Sequence, residues 1–583
     1  MGITYPSKAI EYIKRLTDTR VPTEPMTKTP VRKAVPENSS AEQPFPRAKP
    51  EDVGIPSSRI AEFLRELYEN RALDTHGVTV IKDGKLIAQA MFGPYEADLP
   101  QATFSECKSI ISLAIGILIG EKRLSLDEKV VDIIDDISAI TKKRYEKLTV
   151  ERLLTMRSSS CFNEIGAVIE ENWEKEFFTL VSFGTIGKTF FYNSLNTYML
   201  ACIVRRKSGM TVTEYLRPRL FEPLGIKNIF WEKSPSGTEC GGWGLYILPE
   251  DMAKLGQLAL DGGAWKGRQL VPKAYINLAT KAHVRVPDDY GDFNYGYQIW
   301  VGRNSDSFLY NGLFGQNMMC FRNTKTIVTA NAGNCEFFQQ SPFCRICEKY
   351  FASDEPTVTV RNDTPSLQEM IRLLKNKDFR TEGLLAARRD KKLAENMRGR
   401  LEGRFCVLPE GKRTTISVFP AALQVCGNTY GKGLEKIGFE TRDGKFTVSF
   451  FEGESIISVP IGFSKYEKSE LHLGDQLVFK VAAHGRFAEN EDYLPVLKLK
   501  IDFIETPCSK TIKLIFDGDS VYYKQEEFPG AKFIKYGINF ISDNFLSKGI
   551  LGKMNLDEKF SDAEYLAYKA EAKLSARADF NLV

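Results

Sequence analysis

The chain of 583 residues is 43% hydrophobic and 26% charged, which is the composition of globular domains. Its 79 basic and 75 acidic side chains leave a formal net charge of +4, and this near balance argues against nucleic acid or a membrane surface as a partner. One core rarely grows to this length, so we expect two or three domains.

The N-terminal part of the chain is predicted to lie outside the core. Residues 1–17 have the pattern of a short helix, and the proline-rich stretch from Val21 to Pro50 predicts an extended linker or wrapping arm. The chain opens without a basic region followed by an apolar run, and no run approaches the roughly 18 apolar residues of a membrane span. We therefore expect a cytoplasmic protein, with its eleven scattered cysteines as reduced thiols.

The core is predicted to begin after Pro50. A capped amphipathic helix opens at Ser57. Residues 76–92 then alternate apolar side chains on both sides of Asp83 and Gly84, a pair typical of a tight β-hairpin turn. The chain therefore begins its core with a helix followed by two antiparallel strands.

The segment from Thr103 to Gly120 carries the most informative pattern of the chain. Ser105 and Lys108 lie three residues apart at the start of a helix that is apolar almost all round, and such a helix is buried on every side. A lysine in this place must find partners or lose its proton, and at this spacing its nearest candidate partner is the serine. A serine at a helix N-terminus has its developing negative charge stabilised. The pattern predicts a Ser-x-x-Lys acyl-transfer nucleophile.

Because serine and lysine are common, this spacing also arises by chance, and the following residues bear on the choice. The run from Thr103 through Leu124-Ser-Leu-Asp-Glu to Ile134 resembles the serine beta-lactamase-related hydrolases. That family includes penicillin-binding-protein-like esterases and nylon-oligomer hydrolases. The glycine that usually precedes the Leu-Ser-Leu passage is absent here. The resemblance implies that Ser105 is the nucleophile.

A helical region is predicted from Leu148 to about Leu260, and strands return at 298–301, 318–321 and 326–330. Strands followed by grouped helices and further strands indicate an α+β domain. The next helix contains Cys344 and Cys347, whose spacing also occurs in metal sites. Zinc needs four converging ligands, so we interpret these thiols as part of a buried helix face and predict no metal and no cofactor.

A second motif is predicted at Tyr192 and Ser194, in the sequence Tyr-Asn-Ser. It resembles the Tyr-x-Asn or Tyr-x-Ser motif of the same family. A tyrosine beside a lysine ammonium can have its pKa lowered enough to act as general base for Ser105 and then as acid for the leaving group. The alternative is a buried core tyrosine, but its position before the family-like stretch Phe221–Ile226 favours the catalytic role.

The place of the family's third motif, Lys-Thr-Gly or His-x-Gly, matches residues 310–319. Gly315 and Gln316 fit the pattern, whereas Leu313 stands where a lysine or histidine is usual. A main-chain N–H near Gly315 or Gln316 is predicted to complete an oxyanion hole with the Ser105 N–H. The cation that would meet a substrate carboxylate is missing.

The remaining candidates are fewer. The four histidines, at positions 76, 283, 472 and 484, lie outside these motifs, so a Ser-His-Asp triad has no support. Trp243 and Tyr246 follow two glycines and are candidates for lining the pocket or for packing.

The sequence changes character beyond Phe351. A charged helical connector is followed by period-two segments such as 446–451, 496–504 and 511–516, which predict an antiparallel β domain. A closing helix is predicted over about 561–577.

The fold class that follows is α+β, with a beta-lactamase-like antiparallel sheet, a grouped helical region and a C-terminal antiparallel β domain. The expected divisions are an N-terminal helix and arm (1–49), a hydrolase domain (50–355), a helical connector (356–400) and the β-rich domain with its closing helix (401–583). The resemblance, over about residues 44–350, implies a serine hydrolase that forms an acyl-enzyme on Ser105 and cleaves a small ester or amide. The alternative is an inactive binding or scaffold protein of the same fold, favoured by Leu313 and by the unusual Glu106-Cys107 pair.

Overall fold

The structure is a computed structural model, and it describes residues 37–160, 170–179, 185–339, 341–354, 363–379, 384–408, 417–427, 429, 431–474, 477–518, 520–530, 533 and 573–579. The chain divides into two compact units, with the boundary between Lys375 and Asn376. This boundary falls within the segment 356–400 that the sequence predicts as a connector. The predicted helix over 1–17 and the arm up to residue 36 lie outside the described residues.

The strands of the first unit form one large antiparallel sheet and two small ones. Among the described residues they are β1 (Thr75–Lys82), β2 (Lys85–Met91), β3 (Gln101–Ala102), β4 (Phe230–Trp231), β5 (Leu245–Ile247), β6 (Ala264–Trp265), β7 (Arg268–Gln269), β8 (Phe293–Tyr295), β9 (Trp300–Gly302), β10 (Ser307–Gly312), β11 (Gln316–Phe321) and β12 (Thr326–Ala332). The large sheet has the order β2-β1-β12-β11-β10-β9-β8, and a smaller sheet has the order β3-β5-β4. The predicted hairpin is confirmed, since β1 pairs with β2 across Asp83 and Gly84, which both have a positive φ.

The helices of the first unit lie mostly between β3 and β8, as the α+β prediction requires. Those described are α1 (Ser57–Glu69), α2 (Lys108–Gly120), α3 (Val130–Ile133), α4 (Ala139–Arg144), α5 (Val150–Leu154), α6 (Trp173–Thr179), α7 (Ser194–Ser208), α8 (Val212–Leu216), α9 (Glu222–Leu224), α10 (Pro249–Leu260), α11 (Lys273–Ala279), α12 (Phe343–Phe351) and α13 (Thr364–Lys375). Short 3-10 or π turns lie at Pro50–Val53, Phe104–Cys107, Arg217–Phe221, Asp288–Tyr290 and Leu313–Gly315. None of the helices in the described part of the chain is long and apolar enough to cross a bilayer.

Helix α2 runs through the centre of the helical region. Its residues from Lys108 to Leu118 are all buried, which confirms the prediction of a helix without a polar face. Burying one Leu or Ile side chain contributes about 1.5–3 kcal/mol, so this helix is a major source of stability. Neighbouring helices approach closely, because a Cβ at Gly116 would lie 2.5 Å from the Tyr275 ring. Helix α2 is therefore held firmly on all sides.

Part of the described arm, residues 42–47, lies along α10. The Glu250 carboxylate accepts hydrogen bonds from the Phe45 N–H and the Arg47 guanidinium, and Lys254 donates to Asp251. Burial raises the pKa of Asp251 to about 6. Phe45 itself is buried against Trp265. These contacts fix residues 42–47 along the helix.

The second unit is built on a ten-stranded antiparallel sheet in the order β16-β15-β14-β13-β22-β21-β20-β19-β18-β17. Its strands are β13 (Phe405–Val407), β14 (Leu434–Arg442), β15 (Lys445–Glu452), β16 (Ser455–Pro460), β17 (Glu467–Leu473), β18 (Leu477–Glu489), β19 (Pro495–Asp502), β20 (Ser509–Asp517), β21 (Ser520–Phe528) and β22 (Lys573–Asp579). The described helices are α14 (Leu384–Leu401) and α15 (Ala421–Gly427), with a 3-10 turn at Lys377–Phe379. Burial alternates along β20 and β21, as the period-two pattern predicts.

The predicted closing helix over 561–577 is wrong for its last five residues. Residues 573–579 form β22, which pairs with β13 on one side and β21 on the other, while 561–572 lie outside the described residues. The alanine, lysine and arginine of this segment favour a helix locally. Two strand edges with unpaired backbone groups outweigh that local preference, because β22 satisfies both.

Candidate active site

Ser105 lies in a tight turn directly before α2. The helix begins at Lys108, and the residues before it form the 3-10 turn Phe104–Cys107. Side chains three apart eclipse one another in a 3-10 helix, which brings Ser105 over Lys108. Phe104 has φ +48°, a strained conformation for a bulky residue of the kind found at functional sites. Ser105 is half-buried and thus open to a ligand.

Lys108 is buried and is surrounded by acceptors. Its Nζ donates to Ser105 Oγ at 2.7 Å, to Ser194 Oγ at 2.8 Å and to the Gly242 carbonyl at 2.7 Å. The side chain is 1% exposed. An ammonium group has three N–H donors, and these three acceptors match them. Of the two possibilities that the sequence left for this lysine, the structure shows the first, a set of partners.

The Gly242 carbonyl reaches Lys108 because two glycines allow a close approach. A Cβ at Gly242 would lie 2.7 Å from the Ser194 Cβ, and Gly241 has φ +67°. The start of α7 is fixed by Asn193, whose side chain caps the helix by accepting from the Leu195 N–H at 2.9 Å. The Gly242 carbonyl is a site group that was not predicted, and the Gly241-Gly242 pair is the feature of the sequence that signals its close approach.

Tyr192 lies beside the same lysine. The Lys108 Nζ is 5.0 Å from the centroid of the Tyr192 ring, within the range of a cation–π contact. Trp300 stacks on the ring at 5.7 Å, and Phe338 meets it edge-on at 5.2 Å. The structure therefore brings Ser105, Lys108, Tyr192 and Ser194 together, as the motif pattern predicts.

The predicted third motif is arranged differently in detail. A Cβ at Gly312 would lie 2.1 Å from the Thr103 carbonyl and 3.2 Å from the Glu106 nitrogen, so the glycine that packs on the Ser105 turn is Gly312. Gly315, with φ +84°, packs against Asn334. Gln316 pairs with Gly312 across β10 and β11. The motif therefore predicted the correct end of β10 and β11 but did not include Gly312.

The Gln316 side chain has partners within the sheet. Its amide donates to the Ala332 carbonyl at 2.6 Å and accepts from Asn331 at 3.1 Å. The main-chain N–H of Gln316, rather than its side chain, is therefore the group that we consider for substrate binding. The oxyanion roles predicted for Gly315 and Gln316 stay predictions.

No lysine or histidine stands at Leu313, and the two arginines nearest in sequence have other partners. Arg303 bonds to Asp288 at 2.5 Å. Arg322 donates to the Thr280 carbonyl at 2.7 Å and lies over the Phe308 ring. Neither guanidinium is available as a ready replacement for the missing cation.

Glu106 is a second feature that the sequence flagged without explaining. Its carboxyl is 2% exposed, and burial raises its pKa well above the usual range. The next residue, Cys107, donates from its thiol to the Phe104 and Gly241 carbonyls, and burial raises its pKa to about 12. Both side chains are therefore buried within the nucleophile turn itself, where burial disfavours their charged forms.

The other candidates have structural surroundings. His76 stacks on Tyr95 and His283 stacks on Tyr297. Cys344 and Cys347 are buried on α12. In the described ranges, no three His, Cys, Asp or Glu side chains gather as a metal site would require.

Trp243 and Tyr246 differ in exposure. Tyr246 is buried against Phe230, whereas Trp243 is half-buried and stacks on Trp173 at 5.2 Å. Trp243 directly follows Gly242, the acceptor of Lys108. Of the two predicted pocket aromatics, Trp243 is thus the one that stays partly exposed, and its backbone lies next to the site.

The part of the chain that carries these residues is similar to known proteins. Residues 60–334 match the family model described as Beta-lactamase. Over 301 residues the chain is 23% identical to the 6-aminohexanoate-dimer hydrolase of Paenarthrobacter ureafaciens, an alignment that covers 47% of this chain and 75% of that enzyme.

Two solved structures are also similar. The penicillin-binding protein of Bacillus halodurans has a TM-score of 0.39 and 19% identity, covering 49% of this chain and 98% of its own. The D-amino acid amidase of Ochrobactrum anthropi SV3 has a TM-score of 0.41 and 14% identity. That alignment covers 54% of this chain and 98% of the amidase. The segment 60–334, which contains the Ser-x-x-Lys and Tyr-x-Ser motifs, is therefore identified as a beta-lactamase-related domain.

Proposed function

We propose that this protein is a serine hydrolase that cleaves a small ester or amide through an acyl-enzyme on Ser105. One observation carries the proposal. A buried lysine ammonium lies 2.7 Å from the hydroxyl of a half-buried serine and 2.8 Å from the hydroxyl of Ser194, with a tyrosine ring beside it. This is the geometry that activates a serine nucleophile.

Acylation begins with proton transfer from Ser105 to Tyr192. The ammonium of Lys108 favours the phenolate form of a nearby tyrosine, so Tyr192 serves as the base. The Ser105 oxygen then bonds to the substrate carbonyl carbon. The carbonyl oxygen becomes an oxyanion, stabilised by the Ser105 N–H and a main-chain N–H at the corner between Gly312 and Gln316. Lys108 keeps its proton throughout and supplies positive charge.

The intermediate collapses when Tyr192 returns its proton to the leaving group. The bond between the carbonyl carbon and the leaving group breaks, and the acyl group stays on Ser105. Water then loses a proton to Tyr192 and attacks the acyl carbon, after which the proton returns to the Ser105 oxygen as the acid departs. The same two residues therefore serve both halves of the reaction.

Leu313 directs the choice of substrate away from carboxylates. A lysine or histidine in its place would provide a charge-assisted contact for a substrate carboxylate, worth about 1.5–3 kcal/mol. Leucine provides none. We therefore assign the protein an uncharged small ester or amide as its substrate.

A fluorophosphonate probe followed by peptide mapping tests the proposal. Labelling of Ser105 in the folded protein, absent in Ser105→Ala and in heat-denatured protein, supports the hydrolase. If Ser105 is not labelled in protein that circular dichroism shows to be folded, the result would support the alternative of a non-catalytic binding or scaffold protein.

A further inference from the structure

Three half-buried apolar residues are sequence neighbours of groups in the candidate site. Phe104 precedes Ser105, Trp243 follows Gly242, and Leu313 follows Gly312. Phe104 thus adjoins the reacting serine, Trp243 adjoins the carbonyl that binds Lys108, and Leu313 adjoins the glycine that packs on the Ser105 turn. We propose that these three residues form a platform for the acyl group of the substrate, and that the substrate class is an ester or amide with an apolar acyl chain of several carbons or an aromatic acyl group. This inference rests on the proposed function.

Trp243 is held by contacts of both its ring and its backbone. Trp173, itself 3% exposed, stacks on one side of Trp243 with rings 5.2 Å apart and 29° from parallel. The Trp231 indole donates to the Trp243 carbonyl at 3.0 Å. A flat aromatic surface that is already packed on its other side loses little entropy when a ligand covers it.

Phe104 is held in place by its contact with Phe314. Its ring meets Phe314 edge-on at 5.3 Å, and both residues have positive φ, +48° and +66°. Two bulky residues in this conformation are strained, and such strain persists where the surrounding structure holds the residues for a function. The pair fixes a half-buried apolar side chain next to Ser105.

Charge near the platform also favours an apolar acyl group. Glu232 lies beside the Gly241–Gly244 loop, with its Oε2 3.1 Å from where a Cβ at Gly244 would stand. Glu232 is half-buried, and its N–H donates to the Gly244 carbonyl at 2.8 Å. The Glu232 carboxylate adds negative charge beside this loop, and such a charge repels an anionic acyl group. The lack of a cation at Leu313 acts in the same direction.

The test is a series of p-nitrophenyl esters that share one leaving group. We expect kcat/KM to rise about threefold per added methylene from acetate through butyrate to hexanoate, since each buried methylene contributes to binding. The phenylacetate ester should be hydrolysed with a kcat/KM similar to that of the hexanoate ester. The mono-p-nitrophenyl ester of adipic acid, which replaces the terminal methyl of the hexanoate by a carboxylate, should fall at least about tenfold below it.

The variants separate a platform from a merely structural role. In Trp243→Ala the dependence on chain length should flatten to less than about 1.5-fold per methylene, and Trp243→Phe should restore most of it. Trp265→Ala is the matched control, because Trp265 is also a half-buried tryptophan and packs on Phe45. It should leave the slope unchanged. If Trp243→Ala does not fold, Leu313→Ala provides the same readout.

Two results would overturn the inference while leaving the hydrolase intact. One is a flat chain-length profile in wild-type protein whose Ser105 reacts with the fluorophosphonate. The other is an unchanged slope in both Trp243→Ala and Leu313→Ala. Failure of Ser105 to react at all would overturn the proposed function and this inference with it.

Discussion

Two fully buried lysines, one in each unit, have different surroundings. Lys510 in the second unit is 1% exposed and bonds to the Glu527 carboxylate at 2.9 Å and the Ser417 carbonyl at 2.6 Å. The described acceptors of Lys108, also 1% exposed, are two hydroxyls and a carbonyl. A carboxylate fixes an ammonium in place, whereas a hydroxyl can itself give up a proton. Burial alone therefore does not distinguish the two lysines, whereas the chemistry of their acceptors does.

The largest effect is expected from Ser105→Ala. Removal of the nucleophile should lower kcat/KM for a p-nitrophenyl ester by about 10⁴-fold or more. The cost in stability should be about 1.5–3 kcal/mol, the worth of one hydrogen bond from the Lys108 ammonium. Steady-state kinetics and a thermal melt measure the two quantities. Activity within a few-fold of wild type would exclude Ser105 as the nucleophile.

The next largest effect concerns Lys108 and Tyr192 as one unit. Lys108→Ala and Tyr192→Phe should each lower kcat by about 10³-fold, and the double variant should lose a similar factor, because groups on one proton path are not additive. Single-turnover kinetics of all three proteins provide the measurement. Losses that multiply in the double variant would mean that the two residues act independently.

Lys510→Met is the structural counterpart. Removing one partner from a buried pair leaves the Glu527 carboxylate without its cation, so we expect a loss of about 3–5 kcal/mol in the free energy of unfolding of the second unit. Urea denaturation followed by circular dichroism measures this loss. At low temperature the folded variant should keep its ester kinetics, and a large fall in kcat would contradict the purely structural role.

Leu313→Lys should move substrate preference without changing the chemistry. A new charge-assisted contact is worth about 1.5–3 kcal/mol, so the ratio of kcat/KM for a carboxylate-bearing ester to that for its uncharged match should rise about ten- to a hundredfold. Leu313→Met, which adds no charge, is the control. Wild-type protein that cleaves a cephalosporin faster than a p-nitrophenyl ester of equal reactivity would contradict the reasoning from Leu313.

The smallest effect is expected from Glu106→Gln, which should change how the free energy of unfolding depends on pH. Because burial raises the pKa of the folded-state carboxyl, the unfolded chain ionises first as pH rises. Its contribution to stability is complete below the usual glutamate pKa and is lost as pH increases toward the folded-state value. The variant should therefore be more stable than wild type at pH 8 and similar at pH 4. Urea midpoints at the two pH values test this, and an equal difference at both would contradict it.

Local sequence patterns predicted much of the fold and the core of the site. The apolar run of α2, the Asp83-Gly84 turn and the period-two strands are short-range features, and each was found where it was predicted. The Ser105 and Lys108 spacing is also local.

Contacts between distant residues could not be predicted in this way. The Gly242 carbonyl reaches Lys108 across 134 positions in the sequence, and no periodicity encodes such a contact. Gly312 was missed because a neighbouring glycine fitted the motif spacing as well. Strand β22 was missed because its pairing with β13 depends on a partner far away in the chain.

The pairing of β1 with β12 joins residues about 250 positions apart, with Val80 opposite Val328. Loop-closure entropy must be overcome before such a contact forms, so the central part of this sheet is expected to assemble late and slowly. During synthesis, the β1–β2 hairpin waits with one backbone edge bare until the ribosome has released residues 326–332. An exposed strand edge is a template for pairing with another chain. We therefore expect the nascent first unit to be most prone to pairing with another chain before β12 has been synthesised.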